Sequence, residues 1–379
     1  MTIGILLPHS NAHPGIFKDF MDGFNSLLAK KELTGSVTIK KESIGFGGME
    51  KEVYAKAEKL LVSDDVDILI AYMDEKVTGM IYSLVQSTGK LLIVVNPGAN
   101  HPLNWIAQST VIHLNLQHAF LCSLTGRLAA ATENQSAAYA SSFYDCGYLH
   151  SADMVKKFMT CGGHILHNFI NNQAYDENFE INQLTDFLTF RTDCKNILCV
   201  YDEKPASLFF ERLNNHKADL PLSLYVSPMM ITENALEKMG AGFNFSINGY
   251  LPWQPGMDTA DNQNFKKACT RPATIFSLLG WESAMVIDEI QTNYKNDLQE
   301  GEAIVEHLKS SPLAGPRGEM KLDSETGYYK APVGRFILEQ GSNNAAVEWI
   351  TDMEKEWRTF SAIETEGSVT GWTNTYLCY

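Results

Sequence analysis

The feature that most constrains this chain is a repeated pairing of short, wholly apolar runs with helical stripes. Ile3 to Leu7, Ile68 to Ala71 and Leu91 to Val95 are apolar or glycine throughout, with no polar residue in alternation. A strand covered on both faces by helices reads this way, whereas a strand with one wet face alternates. Each run stops abruptly in small and polar residues: Pro8 to Asn11, Tyr72 to Glu75, and Asn96 to Asn100. In an open parallel sheet, ligands bind just beyond the carboxyl ends of the strands. Ser10, Asn11, Tyr72, Asp74, Asn96 and Ala99 therefore fall where a pocket belongs.

The helical stripes lie between these runs. Ile16, Phe17, Phe20, Met21, Phe24, Leu27 and Leu28 fall on one face of a helix, as do Val53, Ala57, Leu60 and Leu61, and then Met80, Ile81, Leu84 and Val85. Strand-like runs at 37–43 and 111–114 and a helix over 116–132 complete a first β-α series, which points to a parallel sheet with right-handed crossovers. Glu133 to Ser136 is polar and reads as a crossing point. The alternation then restarts, with strands at 137–140, 164–170, 196–201, 222–226 and 245–248 and helices at 148–160, 181–190 and 205–215. The expected fold is α/β, with two doubly wound parallel-sheet lobes.

Residues 249–258 are rich in loop formers. Helices are expected at 264–269, 274–292 and 301–310, a turn into a strand at 315–323, and a last strand at 333–338. The stretch 343–379 is polar and aromatic, with Trp349, Trp357 and Trp372, and is expected to pack on the surface of a lobe.

Composition narrows the function classes. A chain of 379 residues is too long for one core and suits two domains. A net charge of −15 offers no basic field for phosphates, which argues against a nucleic-acid partner. The apolar runs are shorter than the ~20 residues of a membrane span. Seven cysteines without repeated spacing are no disulfide framework, and Cys194 and Cys199 read as buried free thiols rather than metal ligands. No G-x-G-x-x-G follows a strand, since the Gly45, Gly47 and Gly48 cluster lacks the third glycine, and there is no Walker A, H-E-x-x-H or G-x-S-x-G. The expectation is no enzyme, no cofactor and no metal. His9 and His13 lie near the pocket but are weak evidence for a metal, and His164 and His167 should point to opposite faces of a strand.

The order of elements carries a resemblance. Ile3-Gly-Ile-Leu-Leu-Pro8, Met21-Asp-Gly23-Phe24, the 57–67 helix-to-strand step, Tyr144-Asp-Cys-Gly147, the helix beginning Gly280-Trp-Glu282 and the turn Gly315-Pro-Arg-Gly318 together resemble the type I periplasmic solute-binding proteins of ABC transporters, in the branch that binds branched-chain amino acids. The resemblance spans roughly residues 3–340. It implies two lobes joined by three hinge crossings, with lobe one as 1–135 plus 249–330 and lobe two as 136–248 plus 331–379. It further implies a monomer that closes on a small, amino-acid-like solute and hands it to an ABC permease. The alternative within the same clamp is the sensing module of a signalling receptor. No basic or apolar leader precedes the first strand, so either the protein is cytoplasmic or it is extracytoplasmic with its leader removed; the resemblance implies the second.

The resemblance also directs attention to the second lobe. Tyr144, Tyr201, Asp202 and Ser227 follow its strands, and Trp253 sits in the presumed hinge loop. Where the family has a Gly and a Ser that helps hold a carboxylate, this chain has Tyr72, Met73 and Asp74. Asp74 would repel a ligand carboxylate unless it turns away or pairs with Lys76, so a ligand with an amine, hydroxyls or an amide fits no worse. Several of these residues have plainer readings. Asp74 and Glu75 equally suit capping the helix that follows. Tyr144 suits an aromatic platform or core packing, and Trp253 suits hinge packing or a ligand platform.

Overall fold

The structure is a computed structural model, and it describes all residues except 172–175, 177, 217–220, 238, 240–241, 295–299, 343 and 363–373. The chain opens with β1 (Thr2–Leu7), α1 (Ile16–Lys30), β2 (Thr38–Ser43), α2 (Glu50–Glu58), β3 (Ile68–Tyr72), α3 (Glu75–Thr88), β4 (Leu91–Asn96) and β5 (Val111–Asn115). These strands form one all-parallel sheet in the order β2-β1-β3-β4-β5. Every residue of β3, β4 and β5 is buried, as a strand with helices on both faces must be.

The chain then passes to a second sheet. α4 (His118–Ala130), β6 (Ser136–Ser142), α5 (Leu149–Thr160), β7 (His164–Asn171), α6 (Asn182–Phe190), β8 (Asn196–Val200), α7 (Glu203–Asn215), β9 (Leu222–Val226), α8 (Glu233–Glu237) and β10 (Phe245–Leu251) follow in order. The passage lies earlier than residues 133–136, where the polar stretch suggests it, because α4 packs on α5, β9 and β10 rather than on the first sheet. α4 is buried almost all round, so its sequence carries no clear face to say which sheet it covers.

A return to the first sheet brings α9 (Ala260–Ala268), α10 (Ile275–Asn293) and α11 (Gly301–Ser310), then the small antiparallel strands β11 (Leu313–Gly315), β12 (Gly318–Leu322) and β13 (Tyr329–Lys330). A third passage leads to β14 (Val333–Leu338), β15 (Ala346–Ile350) and α12 (Glu354–Ser361). The second sheet runs β15-β14-β10-β9-β8-β6-β7, parallel from β7 to β10 and antiparallel at β14 and β15. A bulge in β7 sets Ala137 opposite Ile165 but Ala138 opposite His167. His164 and His167 therefore share one face, contrary to the simple alternation, and His167 stacks on Phe187.

The packing of α1 against α10 shows why two glycines recur in the sequence pattern. A Cβ on Gly23 would collide with the Ser277 carbonyl oxygen, and one on Gly280 with that of Phe20. The helices touch backbone to backbone, with Phe20 and Phe24 fully buried beside them. Near the middle of α10, Glu282 accepts two hydrogen bonds from Arg317, from Nε at 2.7 Å and Nη2 at 2.8 Å, both side chains buried. That pair fixes the turn between β11 and β12 onto the helix.

The stretch 343–379 is not merely a surface layer. β15 joins the second sheet, and Trp357 of α12 is buried among Trp105, Phe120 and Phe360. Trp372 lies outside the described residues. Asn374 to Tyr379 run between the two sheets, with Thr375 to Cys378 buried.

Candidate ligand-binding cleft

The carboxyl ends of both sheets face one another, and the polar residues that meet there follow three strands, β1, β6 and β8. After β1, Ser10 closes a tight loop by accepting from the His13 amide at 2.8 Å. That loop leaves the amides of Asn11 and Ala12 pointing into the cleft. After β6, Ser142 donates to Asp145 at 2.6 Å and accepts from the Asp145 amide at 2.8 Å, which holds this carboxylate in place. After β8, Asp202 begins α7 and accepts from the Glu203 amide at 2.7 Å, the ordinary use of a carboxylate at a helix start. Its own amide donates to Asp145 at 2.9 Å.

One contact links the two sides of the cleft directly. His13 Nε2 lies 3.0 Å from both carboxylate oxygens of Asp202, and the His13 ring meets the edge of Phe276 at 5.1 Å. Burial by itself would lower the His13 pKa, but the Asp202 charge and hydrogen bond carry it above its ordinary value. Burial would likewise raise Asp202, yet His13, the Glu203 amide and the Tyr379 hydroxyl bring it below the ordinary carboxylate value. Among the described residues no cation bonds directly to Asp145. Burial and then the Asp202 charge push its pKa up to about 7.

Beside this pair a cavity of about 550 Å³ opens between the sheets, lined among others by His13, Glu203, Met229, Thr232, Trp253 and Phe276. A second cavity of about 280 Å³ lies outside the cleft, against Asp74, Tyr82, Asn100, His101 and Tyr328. The first has walls from both sheets, which is the geometry a clamp needs.

The rest of the cleft is filled by residues 374–379. Asn11 and Ala12 both donate their amides to the Tyr379 main-chain oxygen at 3.1 Å. The Tyr379 ring lies on Tyr144 at 3.7 Å between centroids, and its hydroxyl donates to Asp202 at 3.3 Å. Ser10 donates to the Leu377 carbonyl. The Tyr376 ring packs between Tyr148 and His150 at 4.8 and 4.9 Å, and its hydroxyl donates to Asp145 at 3.5 Å. The Thr375 amide donates to Phe46 and the Tyr148 hydroxyl to Asn374.

Of the residues singled out in the sequence, Ser10, Asn11, Tyr144 and Asp202 meet in the cleft, and Trp253 lines the adjoining cavity while donating to Asn262 at 2.9 Å. The others turn to structural work. Tyr72 and Tyr201 point into the cores, against Phe20 and Phe209. Asn96 bonds to Met73 and Gly98 and so shapes its own loop, and Ser227 donates to the Tyr201 carbonyl. The buried Ala99 carbonyl accepts from the His150 amide. Asp74 caps α3 by accepting from the Lys76 amide at 3.0 Å, and it also accepts from Asn100 at 2.8 Å. Burial raises its pKa to about 6. Sequence reasoning missed Asp145, Tyr376 and Tyr379, and left His13 only as a weak metal candidate. Asp145 adjoins Tyr144 and so had a signal; the two tyrosines had none.

The comparisons agree with this geometry. A family model described as periplasmic binding protein matches residues 1–334. An ABC transporter substrate-binding protein from Sphaerobacter thermophilus superposes with a TM-score of 0.74 at 17% identity, covering 93% of this chain and 98% of that one. An ABC transporter solute-binding protein from R. palustris in complex with benzoate gives 0.70 at 17% identity, covering 93% and 98%. The branched-chain amino acid transporter substrate-binding protein of Streptococcus pneumoniae in complex with isoleucine gives 0.68 at 13% identity, covering 92% and 99%. No curated protein matches in sequence. With its two parallel-rich sheets, its three passages between them and a cleft at their carboxyl ends, the chain belongs to the periplasmic binding protein family and has the type I fold.

Proposed function

We propose that this protein is an extracytoplasmic solute-binding protein that closes on a small ligand between its two sheets and delivers it to an ABC importer. The lobes are taken as 1–117 with 252–332, and 118–251 with 333–379, moved from the sequence boundaries because α4 packs on the second sheet. The observation that carries the reading is the His13–Asp202 contact beside Tyr144, since it joins an aromatic platform and a buried carboxylate to the amides of the opposite lobe. A flat ring fits on Tyr144, a hydroxyl or ammonium group fits at Asp202, and an oxygen acceptor fits at the Asn11 and Ala12 amides. Amino acids and hydroxylated aromatic acids carry those three features. The solved relatives hold benzoate and isoleucine. The role is binding rather than catalysis, and the protein acts as a monomer.

A thermal-shift screen of amino acids, hydroxybenzoates, amines and sugars tests this. A solute at about 100 times its dissociation constant adds about 2.7 kcal/mol to stability, which a melting curve resolves. A hit whose affinity falls in Tyr144→Ala supports the proposal; a hit insensitive to both Tyr144→Ala and Asp202→Asn places the solute elsewhere and overturns it.

A further inference from the structure

Residues 374–379 meet the cleft as a ligand would. Their partners come from the loop after β1, the loop after β2, the loop after β6, the start of α5 and the start of α7, so the segment touches both lobes at once. The contacts are of the kinds that recognise a peptide. Paired amides hold a main-chain oxygen, one aromatic ring is stacked, and two phenols each reach a buried carboxylate.

The fit is incomplete, and the defects are informative. Leu377 sits at φ +69°, a conformation that residues with a branched bulky side chain rarely adopt. Among the described residues, neither ring nitrogen of His150 nor Nδ1 of His118 has a hydrogen-bond partner, and all three are buried beside the Tyr376 ring. The Tyr72 hydroxyl is buried in the same state among the described residues. Buried polar atoms of this kind carry an unrecovered desolvation cost. A more polar occupant that reached His150 or His118 would recover it, so the cleft can favour another ligand over its own segment.

We propose that residues 374–379 are a built-in ligand of the cleft, so that the cleft recognises a short tyrosine-bearing peptide and a solute binds by displacing that segment. The inference rests on the reading of the cleft as the ligand seat. Because the segment belongs to the same chain as its seat, it competes as an intramolecular ligand that a free solute must outbind. A clamp whose seat is self-occupied for about 99% of the time binds its solute about 100-fold more weakly than the open seat would.

Two measurements test it, one of them on the unaltered chain. Cys378 is fully buried within the segment, whereas Cys161 is exposed. Maleimide labelling of the native chain, mapped by mass spectrometry, should therefore be slow at Cys378 and fast at Cys161. Adding the hexapeptide of residues 374–379 with Cys378→Ser should speed Cys378 labelling at least tenfold as it takes the seat. Equal labelling of the two cysteines without peptide, or slow labelling of Cys378 at saturating peptide, overturns the proposal. In calorimetry, a chain lacking 374–379 should remain folded and bind the hexapeptide, while the full chain binds it at least tenfold more weakly. Loss of folding on deletion would make the segment a fixed part of the core and also overturn the proposal. Solutes that bind the shortened chain while the hexapeptide does not would sink this inference and leave the solute-binding reading intact. Peptide binding without any solute hit would do the reverse.

Discussion

Asp145 and Asp202 share one corner of the cleft but titrate in opposite directions, because His13 bonds directly to Asp202, while Asp145 feels mainly burial and the Asp202 charge. The Asp145 pKa is raised to about 7 by burial and then by Asp202. A carboxyl raised above its unfolded value contributes most below that value, and the contribution is lost as pH rises through the folded pKa. For Asp145 the window runs from about 4 to 7. Asp145→Asn keeps the acceptor for Ser142 and the Asp202 amide but removes the charge. It should stabilise the protein by on the order of 2 kcal/mol at pH 8, and the gain should shrink as pH falls to 5. Urea melts at the two pH values check this; an equal effect at both would show that Asp145 is not the titrating group. His13 is also raised, so its pairing with Asp202 holds below about 6.5 and weakens as pH climbs through the His13 pKa.

Elements were far more legible in the sequence than site residues. The unbroken apolar runs of β3 and β4 identify doubly covered strands, and their order places the cleft at their ends. What a strand-end side chain does is not encoded in that pattern. Tyr72 and Tyr201 turn inward because of one pleat, while Tyr144 lies a few residues beyond its strand and turns to the cleft. Tyr376 and Tyr379 meet partners more than 170 residues away, a distance that no local spacing reveals. The glycines of α1 and α10 work the other way, since a local pattern reports a long-range contact. Gly280→Ala should cost about 2–3 kcal/mol, because the added methyl would overlap the α1 backbone at the Phe20 carbonyl and the Phe24 amide. Arg317→Met should cost about 3–5 kcal/mol, since it leaves Glu282 buried and unpaired. Chemical denaturation measures both, and costs below about 1 kcal/mol would show that the helix packing and the turn relax freely.

For the whole molecule, the two sheets form a clamp because each buries its own strands while their carboxyl ends share a cleft. Three passages of chain let that cleft close without breaking either core. Closure has to be driven by a ligand that touches both lobes, and we propose that the residues that meet it are Asn11, Ala12 and His13 on one side and Tyr144 and Asp202 on the other. The most direct test of that claim is isothermal titration calorimetry of the full chain with tyrosine, isoleucine and 4-hydroxybenzoate, alongside Tyr144→Ala. The account predicts saturable one-to-one binding of at least one of them, weakened at least tenfold in the variant while its melting temperature without solute stays within about 2 °C. Binding of equal strength in both proteins would contradict it, because the solute would then lie outside the cleft that the two lobes share.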